Sequence, residues 1–124
     1  MGSFFSQLAV DAHDVNKVAR FWCEVLGYDV LYDEDGYIEI GKEGRMPTLF
    51  FAPVPENKTV KNRLHIDLSP VDRDQDAELE RILGLGATRV DVGQGDDVTW
   101  VVLADPEGNE FCLLRTQLPD AAST

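Results

Sequence analysis

The sequence predicts an α+β fold in which a strand, a helix and three strands follow one another twice. Two observations predict this order. One amphipathic helix pattern occurs in each half of the chain, and each pattern ends at a Leu-Gly pair, first Leu26-Gly27 and then Leu85-Gly86. Short segments with the alternating or apolar pattern of strands precede and follow both helices. An order that recurs in this way indicates two related βαβββ modules.

Each module contains one predicted helix. In the first module Asp14 is placed to be the N-cap, and Gly27 is placed to end the helix in the left-handed conformation. The apolar side chains between them recur at i, i+3, i+4 and i+7, and they are Val15, Val18, Ala19, Trp22, Val25 and Leu26. The second helix is expected over residues 73–85, with Asp72 in the place of Asp14 and Gly86 as the end. Its expected buried side chains are Leu79, Ile82 and Leu83.

The predicted strands are short and are separated by recognisable turn residues. They cover residues 4–11, 29–34, 37–40 and 47–52 in the first module, and 64–68, 89–92, 98–104 and 110–116 in the second. Asp35-Gly36 is a typical two-residue hairpin turn. The segment 105–109, Asp-Pro-Glu-Gly-Asn, is a second predicted turn.

One domain, residues 1–124, is expected from the length of the chain. Module one is assigned to about 4–53, a proline-containing linker to about 54–62, module two to about 63–116, and a polar tail to 117–124. No apolar run approaches the roughly 20 residues of a membrane span, and no signal peptide is recognised, so we expect a cytoplasmic protein. Two cysteines in a reducing compartment are not expected to form a disulfide.

The chain is strongly acidic, with 23 Asp and Glu residues against 11 Lys and Arg and a formal net charge of −12. A field of this sign repels phosphodiester backbones and anionic lipids, so neither nucleic acid nor a membrane surface is an expected partner. An anionic ligand would need a local basic group to overcome the field.

Three segments together resemble the vicinal oxygen chelate superfamily, also described as the glyoxalase/bleomycin resistance/dioxygenase superfamily. They are residues 8–27 (LAVDAHDVNKVARFWCEVLG), 63–68 (RLHIDL) and 104–114 (ADPEGNEFCLL). The superfamily includes glyoxalase I, extradiol dioxygenases and resistance proteins for fosfomycin and bleomycin. The resemblance implies two βαβββ modules that form a half-open mixed β-barrel with the helices outside and the ligand on the concave face. It also implies a homodimer.

The resemblance assigns four metal-ligand positions to this chain: Gln7 and Phe50 in the first module, and His65 and Cys112 in the second. Phe50 cannot bind a metal, Gln7 is a weak oxygen ligand, and Cys112 replaces the usual carboxylate. Glu110 shares a strand face with Cys112 and offers a substitute. A catalytic metal needs about three firm protein ligands, so little or no bound metal is expected. Zinc is the most suitable ion for a set that contains His and Cys.

Several residues keep two interpretations at this stage. His65 is either a general acid or base, with Glu110 as its partner, or a histidine hydrogen-bonded to Asp67 or to a backbone carbonyl. Cys112 is either a ligand or a small buried apolar residue. Arg63 is in phase with His65, so it is expected at the mouth of the cavity, where it would bind a carboxylate or phosphate.

The aromatic residues divide between ligand and core. Phe50 is expected to face the ligand and Phe51 the core, while the strand register leaves the side of Trp100 open. The expected ligand-binding set is therefore Gln7, Phe50, Arg63, His65, Trp100 and Cys112.

Two functions follow from these residues. The first is a small-molecule-binding protein that sequesters a natural product or metabolite. The second is a lyase, isomerase or dioxygenase that uses a degenerate metal site or the His65 and Glu110 pair.

Overall fold

The computed structural model describes residues 2–91, 93, 95 and 98–119. Its contacts divide the chain into two compact units, residues 1–59 and 60–124, and the boundary falls within the predicted linker 54–62. Each unit contains a strand, a helix and three further strands in that order. The predicted α+β class and the repeated order are confirmed.

The first unit forms one open, mixed sheet with a helix. Its elements are β1 (Gln7–Ala12), α1 (Val15–Leu26), β2 (Asp29–Glu34), β3 (Tyr37–Gly41) and β4 (Thr48–Pro53). The strand order is β1-β4-β3-β2, in which β1 and β4 are parallel and the other neighbours are antiparallel. The sheet does not close into a barrel within the described residues.

Helix α1 begins and ends where the sequence predicts. The Asp14 carboxylate accepts a hydrogen bond of 3.2 Å from the backbone N–H of Lys17, which is the N-cap interaction. Gly27 ends the helix with a φ of 69°, a conformation that glycine adopts without strain. Trp22 is only 3% exposed, as expected for the apolar face. The neighbouring Phe21 is buried as well, which the periodic pattern does not predict.

The two sides of the first sheet differ in burial. Leu49 and Phe51 on β4 and Ile38 and Ile40 on β3 are buried, so this side and α1 form the core of the unit. The prediction that Phe51 belongs to the core is confirmed. Asp35 and Gly36 both have positive φ angles, 56° and 86°, which confirms the predicted hairpin turn.

The second unit repeats the same topology with shorter strands. Its elements are β5 (Ile66–Leu68), α2 (Gln75–Gly84), β6 (Thr88–Arg89), β7 (Val101–Ala104) and β8 (Glu110–Leu113). The order is β5-β8-β7-β6, again with the first pair parallel and the others antiparallel. Its buried residues include Ile82, Leu103, Phe111 and Leu113. No helix in the described part of the chain has both the length and the apolar character of a membrane span.

Helix α2 departs from its prediction at the N-terminus. The N-cap is Asp74, whose carboxylate accepts from the N–H of Ala77 at 2.9 Å, and not Asp72. Asp72 instead binds the Arg73 guanidinium through two contacts of 2.8 and 2.9 Å. Both aspartates are suitable N-caps by residue type. The carboxylate of Asp72, however, binds Arg73, and Asp74 caps the helix. Of the expected buried side chains, Ile82 is fully buried, whereas Leu79 and Leu83 are half-buried.

The predicted strands of the second unit were too long. The first begins at Ile66 and not at residue 64, and Leu64 is 83% exposed, so it does not belong to the apolar face. The next was predicted over 89–92 but is Thr88–Arg89, and Val92 lies outside the described residues. The strand predicted over 98–104 is Val101–Ala104, and the strand predicted over 110–116 is Glu110–Leu113. Ladder pairing with a neighbouring strand limits each element, and the residue pattern alone does not show where that pairing stops.

The predicted turn at 105–109 is confirmed. The buried carboxylate of Asp105 accepts from the backbone N–H groups of Glu107 and Asn109, each at 2.9 Å, and from the Asn109 amide at 3.0 Å. Gly108 takes a φ of 87°. The turn fixes the point at which β8 begins, and therefore the register of Glu110 and Cys112.

Candidate functional site

Three polar side chains come together on the second sheet: His65, Asp67 and Cys112. Their possible ligand atoms, an imidazole nitrogen, a carboxylate oxygen and the thiol sulfur, all lie within 4.8 Å of one another. Asp67 on β5 is directly opposite Cys112 on β8 in the parallel register. His65 immediately precedes β5, two residues before Asp67, and thereby completes the cluster. Among the described residues this is the one such group of three or more His, Cys, Asp or Glu side chains.

The histidine of this cluster is held by its neighbour. His65 Nδ1 lies 3.2 Å from a carboxylate oxygen of Asp67, and both side chains are exposed. Of the two interpretations offered by the sequence, the hydrogen bond to Asp67 is present. When Nδ1 carries the proton and donates a hydrogen bond to the carboxylate, the lone pair of Nε2 is left for a ligand, a metal ion or a proton.

The thiol of Cys112 has a different environment. The residue is buried, and this burial is the largest cause that raises the pKa of the thiol. The negative charge of Asp67 and a hydrogen bond to its carboxylate raise the pKa further, while the charge of Lys61 lowers it. The protonated thiol is therefore the resting form at neutral pH, and Cys112 lacks the thiolate character of a nucleophile.

Glu110 is engaged on the same sheet by a backbone group. Its Oε1 accepts from the N–H of Asn62 at 3.0 Å, and the Asn62 amide donates to Asn109 at 3.1 Å. Glu110 thus fastens the segment before β5 to the 105–109 turn. Its roles as metal ligand and as acid–base partner of His65 remain predictions, since the carboxylate found beside His65 is that of Asp67.

Two other predicted site residues lie outside regular structure. Arg63 is exposed and precedes β5, and because that strand begins at Ile66, the alternation used to align Arg63 with His65 does not extend to it. Trp100 precedes β7 and is 40% exposed. It lines a cavity whose lining residues do not include His65, Asp67 or Cys112.

In the first unit the solvent-facing side of the sheet carries aromatic and polar groups. Phe50 stacks on Tyr37 with ring centroids 5.7 Å apart and an angle of 25° between the planes. Beside this pair the Thr48 hydroxyl donates to Glu39 at 2.8 Å. Gln7 is exposed at the start of β1, opposite Thr48. Gln7 and Phe50 thus lie on a surface made of a stacked aromatic pair and a hydroxyl–carboxylate pair.

Sequence reasoning did not assign Tyr37, Glu39 or Asp67 to the site. The signal that could have found them is alternation. Tyr37 and Glu39 alternate with the buried Ile38 and Ile40, and Asp67 has the parity of His65 within the strand predicted over 64–68.

Comparisons with known proteins agree with this architecture. The family model described as a glyoxalase-like domain matches residues 7–114. A glyoxalase/bleomycin resistance protein/dioxygenase family enzyme from Burkholderia phytofirmans PsJN has a TM-score of 0.69 at 17% identity, covering 90% of this chain and 97% of that one. The fosfomycin resistance protein FosX from Listeria monocytogenes, solved with Mn(II) and a sulfate ion, has a TM-score of 0.72 at 16% identity, covering 95% and 93%.

The oxidase ChaP-H2 is a third structural neighbour, with a TM-score of 0.63 at 17% identity, covering 96% of this chain and 98% of that one. No curated protein sequence matches the chain. At these identities the structural neighbours show the fold alone.

Proposed function

The chain belongs to the glyoxalase-like domain family, and we propose that it is a binding protein for a small organic molecule, held on the solvent-facing side of the sheet in its first unit. The observation that carries this proposal is the stacked pair of Tyr37 and Phe50. Phe50 occupies one of the positions at which the resemblance expects a metal ligand. An aromatic ring there contributes a flat apolar surface and no coordination.

Polar groups on the same side of the first sheet supply the orientation that such a ligand needs. They are Gln7 and the Glu39 carboxylate, which accepts from the Thr48 hydroxyl. A few polar groups on a mainly apolar surface are typical of sites for small organic molecules. Sequestration of a natural product or metabolite is the role we assign to this binding.

The test of the binding function is a thermal-shift screen of aromatic natural products, followed by calorimetric titration of the strongest hits. A ligand at about 100 times its dissociation constant stabilises the folded state by roughly 2.7 kcal/mol, a shift of several degrees for a chain of this size. Phe50→Ala is expected to remove the shift. Phe5→Ala, which deletes an exposed ring outside the strands, is the matched control and should retain it. An equal shift in both variants would place the ligand elsewhere.

A second candidate function is supported by the His65, Asp67 and Cys112 cluster. Three donors of nitrogen, oxygen and sulfur within 4.8 Å fit the protein ligands of a zinc ion with one open position, and the thiolate favours zinc over manganese. These three residues would hold the ion, which when bound would supply Lewis-acid polarisation of a ligand oxygen. The chain would then be a lyase, isomerase or dioxygenase. FosX, solved with Mn(II), is a metal-binding protein of similar fold.

Besides binding the ion, Asp67 would hold the His65 ring through Nδ1. Cys112 would have to release its proton before it could bind the ion. Because burial and Asp67 raise the pKa of this thiol, metal affinity should increase with pH.

Metal content discriminates between the two candidates. The binding function predicts that purified, untagged protein holds far less than one zinc, manganese or iron per chain, measured by mass spectrometry. The enzyme becomes the leading candidate if the protein retains about one zinc per chain that is lost in His65→Ala and in Cys112→Ser. Cys23→Ser is the matched control, because it removes the other cysteine and leaves the cluster intact. Cobalt substitution adds an independent readout, since the enzyme hypothesis predicts a thiolate–cobalt charge-transfer band in wild type that is absent in Cys112→Ser.

A further inference from the structure

A cavity of about 500 Å³ lies in the second unit beside the first residue of α2. Its size falls within the range of small-molecule sites. The side chains that carry the argument are Arg89, Trp100 and Arg115, with Gln75 at the helix end. Its lining residues include neither Tyr37 and Phe50 nor His65, Asp67 and Cys112, so the cavity shares no residue with either candidate site.

The two arginines reach this cavity from different parts of the unit. Arg89 is the second residue of β6, and Arg115 follows the end of β8. Gln75 connects the segments between them, because its side-chain amide donates to the carbonyl of Thr99 at 2.8 Å and to that of Leu113 at 3.1 Å. The segment that carries Trp100 is thereby fastened to the segment that leads to Arg115.

Among the described residues, no acidic side chain pairs with either of these arginines. Arg73 and Arg81, also in the second unit, pair with Asp72 and Glu78. Arg89 and Arg115, by contrast, make no ion pair or side-chain hydrogen bond within the described residues. Asp91 is the one acid among the described lining residues, and its carboxylate is engaged by the N–H of Gly93 at 2.8 Å. Two guanidiniums at one cavity, with no acidic partner among the described residues, are unexpected in a chain of net charge −12.

We propose that this cavity binds a small aromatic oxyanion, with the acid group held by Arg89 and Arg115 and the ring against Trp100. A guanidinium offers two parallel N–H donors to a carboxylate or a phosphate. The exposed indole supplies a flat apolar surface, and Val90 and Val101 line the same cavity. The site requires both features in one molecule: a flat ring and an acid group.

The probe for this site is 4-nitrobenzoate, compared with the uncharged 4-nitrobenzamide, by calorimetric titration at low salt. We expect the carboxylate to bind wild type at least tenfold more tightly than the amide. Arg89→Gln and Arg115→Gln should each weaken 4-nitrobenzoate at least tenfold and leave the amide unchanged. Arg20→Gln, which removes the same charge from an exposed position on α1, is the matched control and should stay within twofold of wild type. An arm with 4-nitrophenyl phosphate shows which of the two acid groups the arginines prefer.

Fluorescence gives a second readout that does not depend on the arginine variants. The chain has two tryptophans, of which Trp22 is buried and Trp100 is exposed. A nitroaromatic ligand in the cavity should therefore quench Trp100, and the quenching should be absent in Trp100→Phe.

The proposal is overturned if 4-nitrobenzoate binds the Arg89, Arg115 and Arg20 variants equally, or no more tightly than the amide. It is also overturned if binding is lost in Phe50→Ala and kept in Arg115→Gln, because the anion would then occupy the surface of the first unit. That second outcome leaves the proposed binding function standing, so the two proposals fail separately.

Discussion

At the scale of single residues, the environment of a side chain decides its chemistry. Cys23 and Cys112 are both free, and in both burial is the largest cause that raises the pKa of the thiol. They differ in their neighbours, because the carboxylates of Asp29 and Glu24 act on Cys23 and that of Asp67 acts on Cys112. The sequence identified His65 and Cys112 as a candidate pair. It gave Asp67 only as a hydrogen-bond partner, because strand parity shows which side a residue faces and not which atoms meet.

These thiols predict a loss of stability in mildly alkaline solution. An unfolded cysteine loses its proton near pH 8.5, whereas the folded protein keeps both thiol protons to higher pH. Above pH 8.5 the folded state therefore binds more protons than the unfolded state, and the free energy of unfolding falls as pH rises. The slope cannot exceed about 1.4 kcal/mol per pH unit for each thiol. Urea unfolding between pH 7.5 and 9.5, with a reducing agent at constant ionic strength, measures it.

Serine variants separate the two contributions to this slope. Cys112→Ser and Cys23→Ser should each reduce the dependence on pH, and the double variant should reduce it most. A double variant with the slope of wild type would show that other groups cause the loss.

At the scale of elements, the strength of the local signal decides how well the sequence predicts structure. Helix α1 has one acidic cap candidate, a regular apolar face and a glycine at its end, and its predicted boundaries are confirmed. Helix α2 offers Asp72 and Asp74 within three residues, and residue type does not distinguish them. The strands of the second unit are two to four residues long. Such short elements end where pairing ends, which depends on neighbours distant in sequence.

The apolar face of α1 predicts a large cost for truncation of Trp22. Trp22 is 3% exposed and its ring meets Phe21 edge to face, with centroids 5.3 Å apart. Trp22→Ala should lower the free energy of unfolding by roughly 3–5 kcal/mol, because the removed ring leaves a cavity in the core. Trp100→Ala removes the same side chain from a position that is 40% exposed and should cost clearly less than Trp22→Ala. Chemical unfolding of both variants checks this, and comparable costs would contradict the assigned core.

At the scale of the whole molecule, composition and family resemblance indicate the class of partner, which the fold alone does not. The net charge of −12 argues against nucleic acid and anionic membranes as partners. Ligand identity is not encoded in any such global property, because it depends on a few side chains brought together by separate strands. The two compact units each keep their own sheet and helix, in agreement with the repeat seen in the sequence.

The expectation of a homodimer has a physical counterpart at the edge of the first sheet. Strand β2 is the last strand in the order β1-β4-β3-β2, and all six of its residues are exposed. They include Val30, Leu31 and Tyr32, three consecutive large apolar side chains. An edge strand leaves backbone N–H and C=O groups unpaired, and an apolar edge favours association with another chain. We therefore predict that β2 takes part in the dimer interface.

Light scattering after gel filtration tests this prediction directly. Light scattering should give wild type twice the 13.8 kDa mass of one chain. Val30→Lys and Leu31→Lys should each shift the equilibrium to the monomer at micromolar concentration, because a lysine on the edge would have to be buried without a partner. Val60→Lys introduces the same charge at a residue that is 75% exposed and outside the strands, and it should remain a dimer. A dimer that persists in both β2 variants would assign the interface to another surface, and a monomeric wild type would contradict the expected homodimer itself.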